Sequence, residues 1–136
     1  MSKKTIIILV ILLSLHSCEK GYLTDCSKCN TIKPSTALIE IYLTTYDNFA
    51  ANKVTVYEGN IEDSIVVRSF TTSSHYYTIS AMFYKKYSAM VEYTIDGKKY
   101  VAIDGACPQL RHDENSCEDD CYYTFDNIIN LTLRYY

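Results

Sequence analysis

Tryptophan is absent from the 136-residue sequence, proline occurs twice and glycine four times, and alanines are few, whereas tyrosine occurs 14 times and β-branched residues are dense. That balance favours strands over helices. Positive charge is also scarce. The formal charge is −3, and removal of Lys3 and Lys4 with a leader leaves 11 basic residues against 16 acidic ones. A nucleic-acid binder needs a basic face that releases phosphate counterions, so that class is set aside. The apolar run over residues 6–15, interrupted only by Ser14, stops at His16-Ser17-Cys18. It is too short for a transmembrane helix, which needs about 20 apolar residues.

What that run does fit is an export signal, with Met1-Ser2-Lys3-Lys4 as the positive segment ahead of it. The end of the run, Leu15-His16-Ser17-Cys18, resembles the lipobox of bacterial lipoproteins, with an aliphatic residue three positions before the cysteine and a small one directly before it. His16 is an unusual occupant. The resemblance implies removal of residues 1–17 and lipidation (palmitate among the acyl chains) of Cys18, the new N-terminus. Several acyl chains, at about 0.8 kcal/mol per buried CH₂, make such an anchor effectively permanent. An Asp directly after the lipidated cysteine tends to retain lipoproteins in the inner membrane. Here Glu19-Lys20 follows, so the resemblance implies an outer-membrane lipoprotein facing the periplasm or the cell surface.

The 119 residues that remain are enough for one domain that buries roughly two thirds of its unfolded surface. Residues 18–36 carry mixed polar side chains, Gly21, Pro34 and Cys26-Ser27-Lys28-Cys29 without periodicity, and read as a lipidated tether. From Ala37 the alternation of Ala37, Ile39, Ile41 and Leu43 with Leu38, Glu40, Tyr42 and Thr44 predicts a half-buried strand. Asp47 or Asn48 can cap one helical turn over Phe49 and Ala50. Strands are predicted over residues 54–57, 64–70 and 76–84, with a turn at residues 71–74. A further strand over residues 87–95 is joined through Asp96-Gly97 to one over residues 98–103, because a type I′ turn needs positive φ at both central positions. Asp104-Gly105 ends it, a long acidic, cysteine-rich loop occupies residues 106–127, and Ile129, Leu131, Leu133 and Tyr135 mark the last strand.

About seven short strands without an internal repeat predict an all-β domain over residues 37–136, a single two-sheet Greek-key sandwich, with a small closed barrel as the alternative. The order Val54-Thr55-Val56-Tyr57-Glu58-Gly59, Tyr87-Ser88-Ala89-Met90-Val91-Glu92-Tyr93, residues 100–105, Cys121-Tyr122-Tyr123 and Leu131-Thr132-Leu133 resembles small outer-membrane lipoproteins with a transthyretin-like (Ig-like) sandwich. These motifs specify fold rather than activity. The resemblance implies display outside the cytoplasm and carries no catalytic residues with it.

Six cysteines in an exported chain predict disulfides. Lipidation consumes Cys18 and leaves Cys26, Cys29, Cys107, Cys117 and Cys121, an odd number, so one thiol is left over. Crosslinks between Cys26-x-x-Cys29 and Cys117-x-x-x-Cys121 would tie the tether to the end of the sandwich. The competing chemistry is a tetrahedral zinc site on the same four thiolates, which requires tether and loop to meet in space. No cofactor beyond the covalent lipid is expected. A thioredoxin-like role for Cys26 and Cys29 lacks the helix that lowers a thiol pKa.

Asp113, Glu114, Asn115, Glu118, Asp119 and Asp120 concentrate carboxylates but match no EF-hand order, and read as a solvated acidic loop. Tyrosines 76, 77, 84, 87, 122, 123, 135 and 136 exceed what one core needs. Tyr76, Tyr77, Tyr84, Tyr122 and Tyr123 are candidates for an exposed surface that stacks on a glycan or meets a protein. His75 and His112 fall in turn-like segments without a nucleophile motif, so no enzyme is expected. The sequon Asn130-Leu131-Thr132 lies in the terminal strand and reads as chance. Together these features predict a non-enzymatic binding or interaction module, or a structural accessory subunit of an envelope complex.

Overall fold

The computed structural model describes residues 25–45, 52–115 and 117–134. Residues 1–17, Cys18 and the turn proposed at Asp47 or Asn48 lie outside them. The described chain is all-β and sandwich-like, with two 3₁₀ turns as its only helical pieces. Its strands are β1 (Ala37–Leu43), β2 (Asn52–Glu58), β3 (Val66–Thr72), β4 (Tyr76–Ala81), β5 (Tyr87–Ile95), β6 (Lys98–Ala106), β7 (Gln109–Asp113), β8 (Cys121–Phe125) and β9 (Ile128–Leu131). Nine strands replace the expected seven or so.

Two sheets hold the core, one in the order β4-β1-β9 and the other β3-β2-β5-β6. All pairings are antiparallel except β1 with β9, which is parallel, with Ile41 opposite Ile129 and Leu43 opposite Leu131. The alternation read from the sequence sets which side faces inward. Ile39, Ile41, Leu43, Ile79, Ile129 and Leu131 of one sheet meet Val54, Val56, Tyr87, Ala89, Val91 and Tyr93 of the other in one buried cluster. Each fully buried Ile, Leu or Val contributes roughly 1.5–3 kcal/mol relative to exposure.

Tyr93 adds a polar latch to this apolar interface. Its hydroxyl donates to the Leu131 carbonyl at 2.9 Å and accepts from the Thr44 amide at 3.1 Å, so a side chain of β5 satisfies backbone at the ends of both β1 and β9. Tyr87, on the same face of β5, accepts from the Met82 amide at 3.0 Å. At the β5–β6 turn Asp96 and Gly97 take φ of 49° and 75°, the two positive values a type I′ turn requires.

β2 extends beyond the expected 54–57 to Asn52–Glu58, β4 ends at Ala81 rather than at residue 84, β9 ends at Leu131 short of the expected Tyr135, and three further boundaries differ for local reasons. Ser64 adopts φ 57° after a 3₁₀ turn over Ile61–Asp63, so the third strand starts at Val66, and it runs on to Thr72 because Thr71 and Thr72 pair with Lys53 and Asn52. Asp104 and Gly105 do not end β6; they continue its ladder opposite Ala89 and Ser88. A Cβ on Gly105 would sit 2.9 Å from the Tyr87 carbonyl oxygen, which accounts for glycine in mid-strand. The long loop over residues 106–127 is not without regular structure: β7 and β8 form a separate two-stranded ribbon within it.

Strand directions sort the connections into two groups. The starts of β1, β5 and β9, the ends of β2, β4 and β6, and the ribbon share one end of the sandwich; the end of β1, the start of β2, the β3–β4 turn and Asp96-Gly97 lie at the other.

Candidate functional site

The ribbon end gathers most of the chemistry-bearing residues. Asn30 and Tyr122 exchange both backbone hydrogen bonds at 2.9 Å, adding one residue of the tether to the free edge of β8. Just before it, Asp25 caps a 3₁₀ turn over Cys26–Lys28 by accepting from the Ser27 amide. This turn delivers Cys26 to Cys117, with which it forms a disulfide (Cα–Cα 5.8 Å) across a sequence separation of 91 residues. A loop of that length makes the crosslink worth about 4–5 kcal/mol in the chain-entropy model, by restricting the unfolded chain.

Tether and loop therefore do meet in space, as either cysteine chemistry required. The sulfurs of Cys29, Cys117 and Cys121 all lie within 4.8 Å of one another. Cys121 is fully buried and Cys29 half-buried. A hydrogen bond with Cys29, together with burial, pushes the Cys121 thiol up to about 11. Asp113, directly opposite Cys121 in the ribbon, adds a negative charge in the same direction. Cys107 stands apart from this cluster, on the connection between β6 and β7, next to buried Pro108.

The acidic loop surrounds the ribbon's outer end. His112 stacks on Tyr122 with ring centroids 4.3 Å apart, and its Nδ1 and Nε2 face Glu114 at 3.4 Å and Asp120 at 3.5 Å. Asn115, Glu118 and Asp119 are exposed. His75 sits in the β3–β4 turn at the opposite end, where its carbonyl accepts from the Leu43 amide.

The five candidate tyrosines do not form one platform. Tyr84, at φ 61° in the β4–β5 turn, donates its hydroxyl to the Leu110 carbonyl; Tyr122 packs on His112; and Tyr123 lies under the Arg111 guanidinium, 5.6 Å from its ring centre. These three belong to the ribbon end. Tyr76 and Tyr77 start β4 at the far end, on opposite faces: Tyr76 leans on Tyr42 outside, while Tyr77 stacks on Phe70 at 4.1 Å and receives a hydrogen bond from Arg68. Tyr87 is core rather than surface, at 3% exposure. Tyr135 and Tyr136 lie outside the described residues.

Two features escaped the sequence reading. One is an open groove of about 530 Å³ beside the end of β6, with Asn60, Lys86, Ser88, Asp104, Cys107 and Asp126 on its walls. No local motif announces it, because its walls come from β5, β6 and the connections after β2, β4, β6 and β8. The other is the ribbon. Its signal was present, since Cys121-Tyr122-Tyr123-Thr124-Phe125 is rich in strand-forming side chains, but the neighbouring acidic run masked it.

The outer faces of the sheets carry isolated apolar side chains. On the four-stranded sheet, Ile103 and Val101 are 60% and 54% exposed, Ile103 standing opposite half-buried Met90. At its β3 edge, Ile65, Val66 and Val67 are exposed in succession. No helix among the described residues is long and apolar enough to cross a membrane. Comparisons with protein-family models, with curated proteins and with solved structures found no match.

Proposed function

We propose that this chain is an outer-membrane lipoprotein whose leader, residues 1–17, is removed, whose Cys18 bears the lipid, and whose sandwich serves as a non-enzymatic interaction module outside the cytoplasm. The observation that carries this reading is where the tether ends. Cys26 is bonded to Cys117 and Asn30 is paired with Tyr122. Cys26 follows Cys18 by only eight positions, a reach of at most about 28 Å. A lipid on Cys18 holds the ribbon end toward the bilayer and turns the Asp96-Gly97 end away from it. A disulfide between tether and ribbon also suits an oxidising compartment.

The fold assigned to this module is the Greek-key, transthyretin-like sandwich that the sequence resembles. Its support is the strand order β3-β2-β5-β6 against β4-β1-β9, with β1 and β9 parallel and the chain crossing between sheets after β1, β3 and β4.

For the partner, an envelope protein is favoured over a glycan. The tyrosines are dispersed, whereas Val101 and Ile103 on edge strand β6, and Ile65-Val66-Val67 at the opposite β3 edge, are exposed apolar side chains next to unpaired strand backbone. That is the accessory-subunit version of the module.

The test is metabolic labelling with an alkyne-bearing palmitate in a Gram-negative host, followed by membrane fractionation. Label and outer-membrane sedimentation are expected for the wild type, and both are expected to be lost in Cys18→Ala. A soluble, unlabelled wild-type protein overturns the anchor. A photo-crosslinking residue at position 103 is expected to trap one discrete envelope protein, while the same residue at position 118 does not; equal trapping at both positions overturns the choice of surface.

A further inference from the structure

We infer that Cys29 and Cys121 form a second disulfide beside Cys26–Cys117, so that the tether is double-stapled to the ribbon and Cys107 is the single thiol left over. The inference rests on the proposed lipoprotein reading for the oxidant and for the blocking of Cys18, not for the pairing. The pairing comes from the ribbon's register. Asn30 and Tyr122 are a directly opposed, hydrogen-bonded pair. Cys29 and Cys121 are the residues preceding them on two antiparallel segments, so they are diagonal neighbours on one face. Diagonal neighbours share a face at about 7–8 Å, so for two short cysteines the sulfur positions decide the matter. Their sulfurs lie within 4.8 Å of each other and of Cys117, and small side-chain and backbone adjustments bring such a pair to bonding distance.

The surroundings favour a neutral disulfide over a metal thiolate cluster. Four thiolates around a divalent cation carry a net charge of −2, and here Asp113 stands opposite Cys121 with Glu118, Asp119 and Asp120 nearby in sequence. Cys121 is fully buried. Burial and a neighbouring carboxylate both penalise added negative charge, whereas a disulfide carries none.

The chemistry balances as two thiol–disulfide exchanges. The half-exposed Cys29, as thiolate, attacks a disulfide of the compartment, of a protein oxidant or of glutathione disulfide, forming a mixed disulfide and releasing one thiol. Cys121 then attacks the Cys29 sulfur and releases the second. Two protons and two electrons pass from the pair to the oxidant. Cys121, buried beside Cys29, is the second of the two to react and acts as the resolving thiol.

The arrangement is redundant by design. Once Cys26–Cys117 has closed the long loop, the second bond closes only the small ring between the two pairs, so either crosslink alone keeps the tether in place.

The full chain, recovered from an oxidising compartment under acid quench, is denatured, alkylated without reductant and mapped by proteolysis and mass spectrometry. The expected result is alkylation at Cys107 alone, with a peptide joining Cys29 to Cys121, and persistence of that peptide in the Cys26→Ser, Cys117→Ser double variant. A crosslink from either one to Cys107, or a chelator-dependent reactivity of the four-cysteine set, overturns the inference, and alkylation of Cys29 and Cys121 together with Cys107 does so when the reoxidised chain shows the same. Reduced full chain reoxidised with glutathione disulfide separates the two readings. Formation of the pair there but not in cells supports the pairing and counts against the proposed location; failure in both counts against the pairing itself.

Discussion

Replacing Tyr93 by Phe removes one oxygen from the middle of the sandwich and leaves the apolar packing unchanged. Two backbone groups lose their partner. The Leu131 carbonyl belongs to a fully buried residue, so its loss of a hydrogen bond costs about 1–3 kcal/mol. The Thr44 amide belongs to a half-buried residue that water can reach in part, and adds about 0.5–1 kcal/mol. The sum, about 1.5–4 kcal/mol, lowers the Tm of a domain this size by about 5–20 °C. Tyr87→Phe is the internal control: it has the same face and the same strand, but only the Met82 amide is orphaned, so about 1 kcal/mol is expected. Urea unfolding of residues 19–136 followed by tyrosine fluorescence and far-ultraviolet circular dichroism measures both, the absence of tryptophan leaving the tyrosine signal clear. If Tyr93→Phe unfolds within about 0.5 kcal/mol of wild type, or no earlier than Tyr87→Phe, the latch does not join the strands as argued.

The same latch sets an alkaline limit. Burial raises the Tyr93 phenol above its ordinary value of 10.0. The unfolded state therefore gives up that proton first, and stability present below pH 10 declines above it; stability curves from pH 8 to 11 should flatten in Tyr93→Phe. Gly97→Ala meets no atoms within 4 Å but must hold φ 75°, so a loss of about 1–2 kcal/mol from backbone strain alone is expected in the same urea assay. Gly105→Ala is expected to cost about 1–3 kcal/mol for a different reason, its Cβ pressing on the Tyr87 carbonyl, and amide exchange at the start of β5 should accelerate. In fully reduced folded protein Cys121 is expected to react with iodoacetamide more slowly than Cys107 at pH 8, its raised pKa holding it as thiol; equal rates would show that the buried hydrogen bond with Cys29 is missing.

Strands with one buried face were legible because their side chains repeat every two residues: Ile39, Ile41 and Leu43, or Ala89, Val91 and Tyr93, announce their inward side without reference to any partner. Asp96-Gly97 was legible because its chemistry demands an uncommon backbone. The ribbon was not. β7 alternates weakly, none of its residues is fully buried, and its partner begins at a cysteine after an acidic run. The Cys26–Cys117 pairing was open for the same reason. Spacing confined the crosslink to two close pairs of cysteines, but choosing among partners needed the Asn30–Tyr122 contact, a long-range bridge of one residue that leaves no period in the sequence. The tyrosines misled in part because one residue type serves three duties here: core latch at 87 and 93, sheet packing at 77, and surface at 76 and 84.

The parallel pairing of β1 with β9 has a consequence for how such a chain is made. β1 begins at residue 37 and its neighbour β9 at residue 128, so the first strand to leave a ribosome or a translocation channel waits for one of the last. Until Ile129 and Leu131 arrive, one flank of β1 stays open and the Tyr93 hydroxyl has no Leu131 carbonyl to meet. Contacts this distant in sequence delay cooperative folding. A growing chain thus stays open along that flank of β1, and the two sheets close on each other only when β9 has been made.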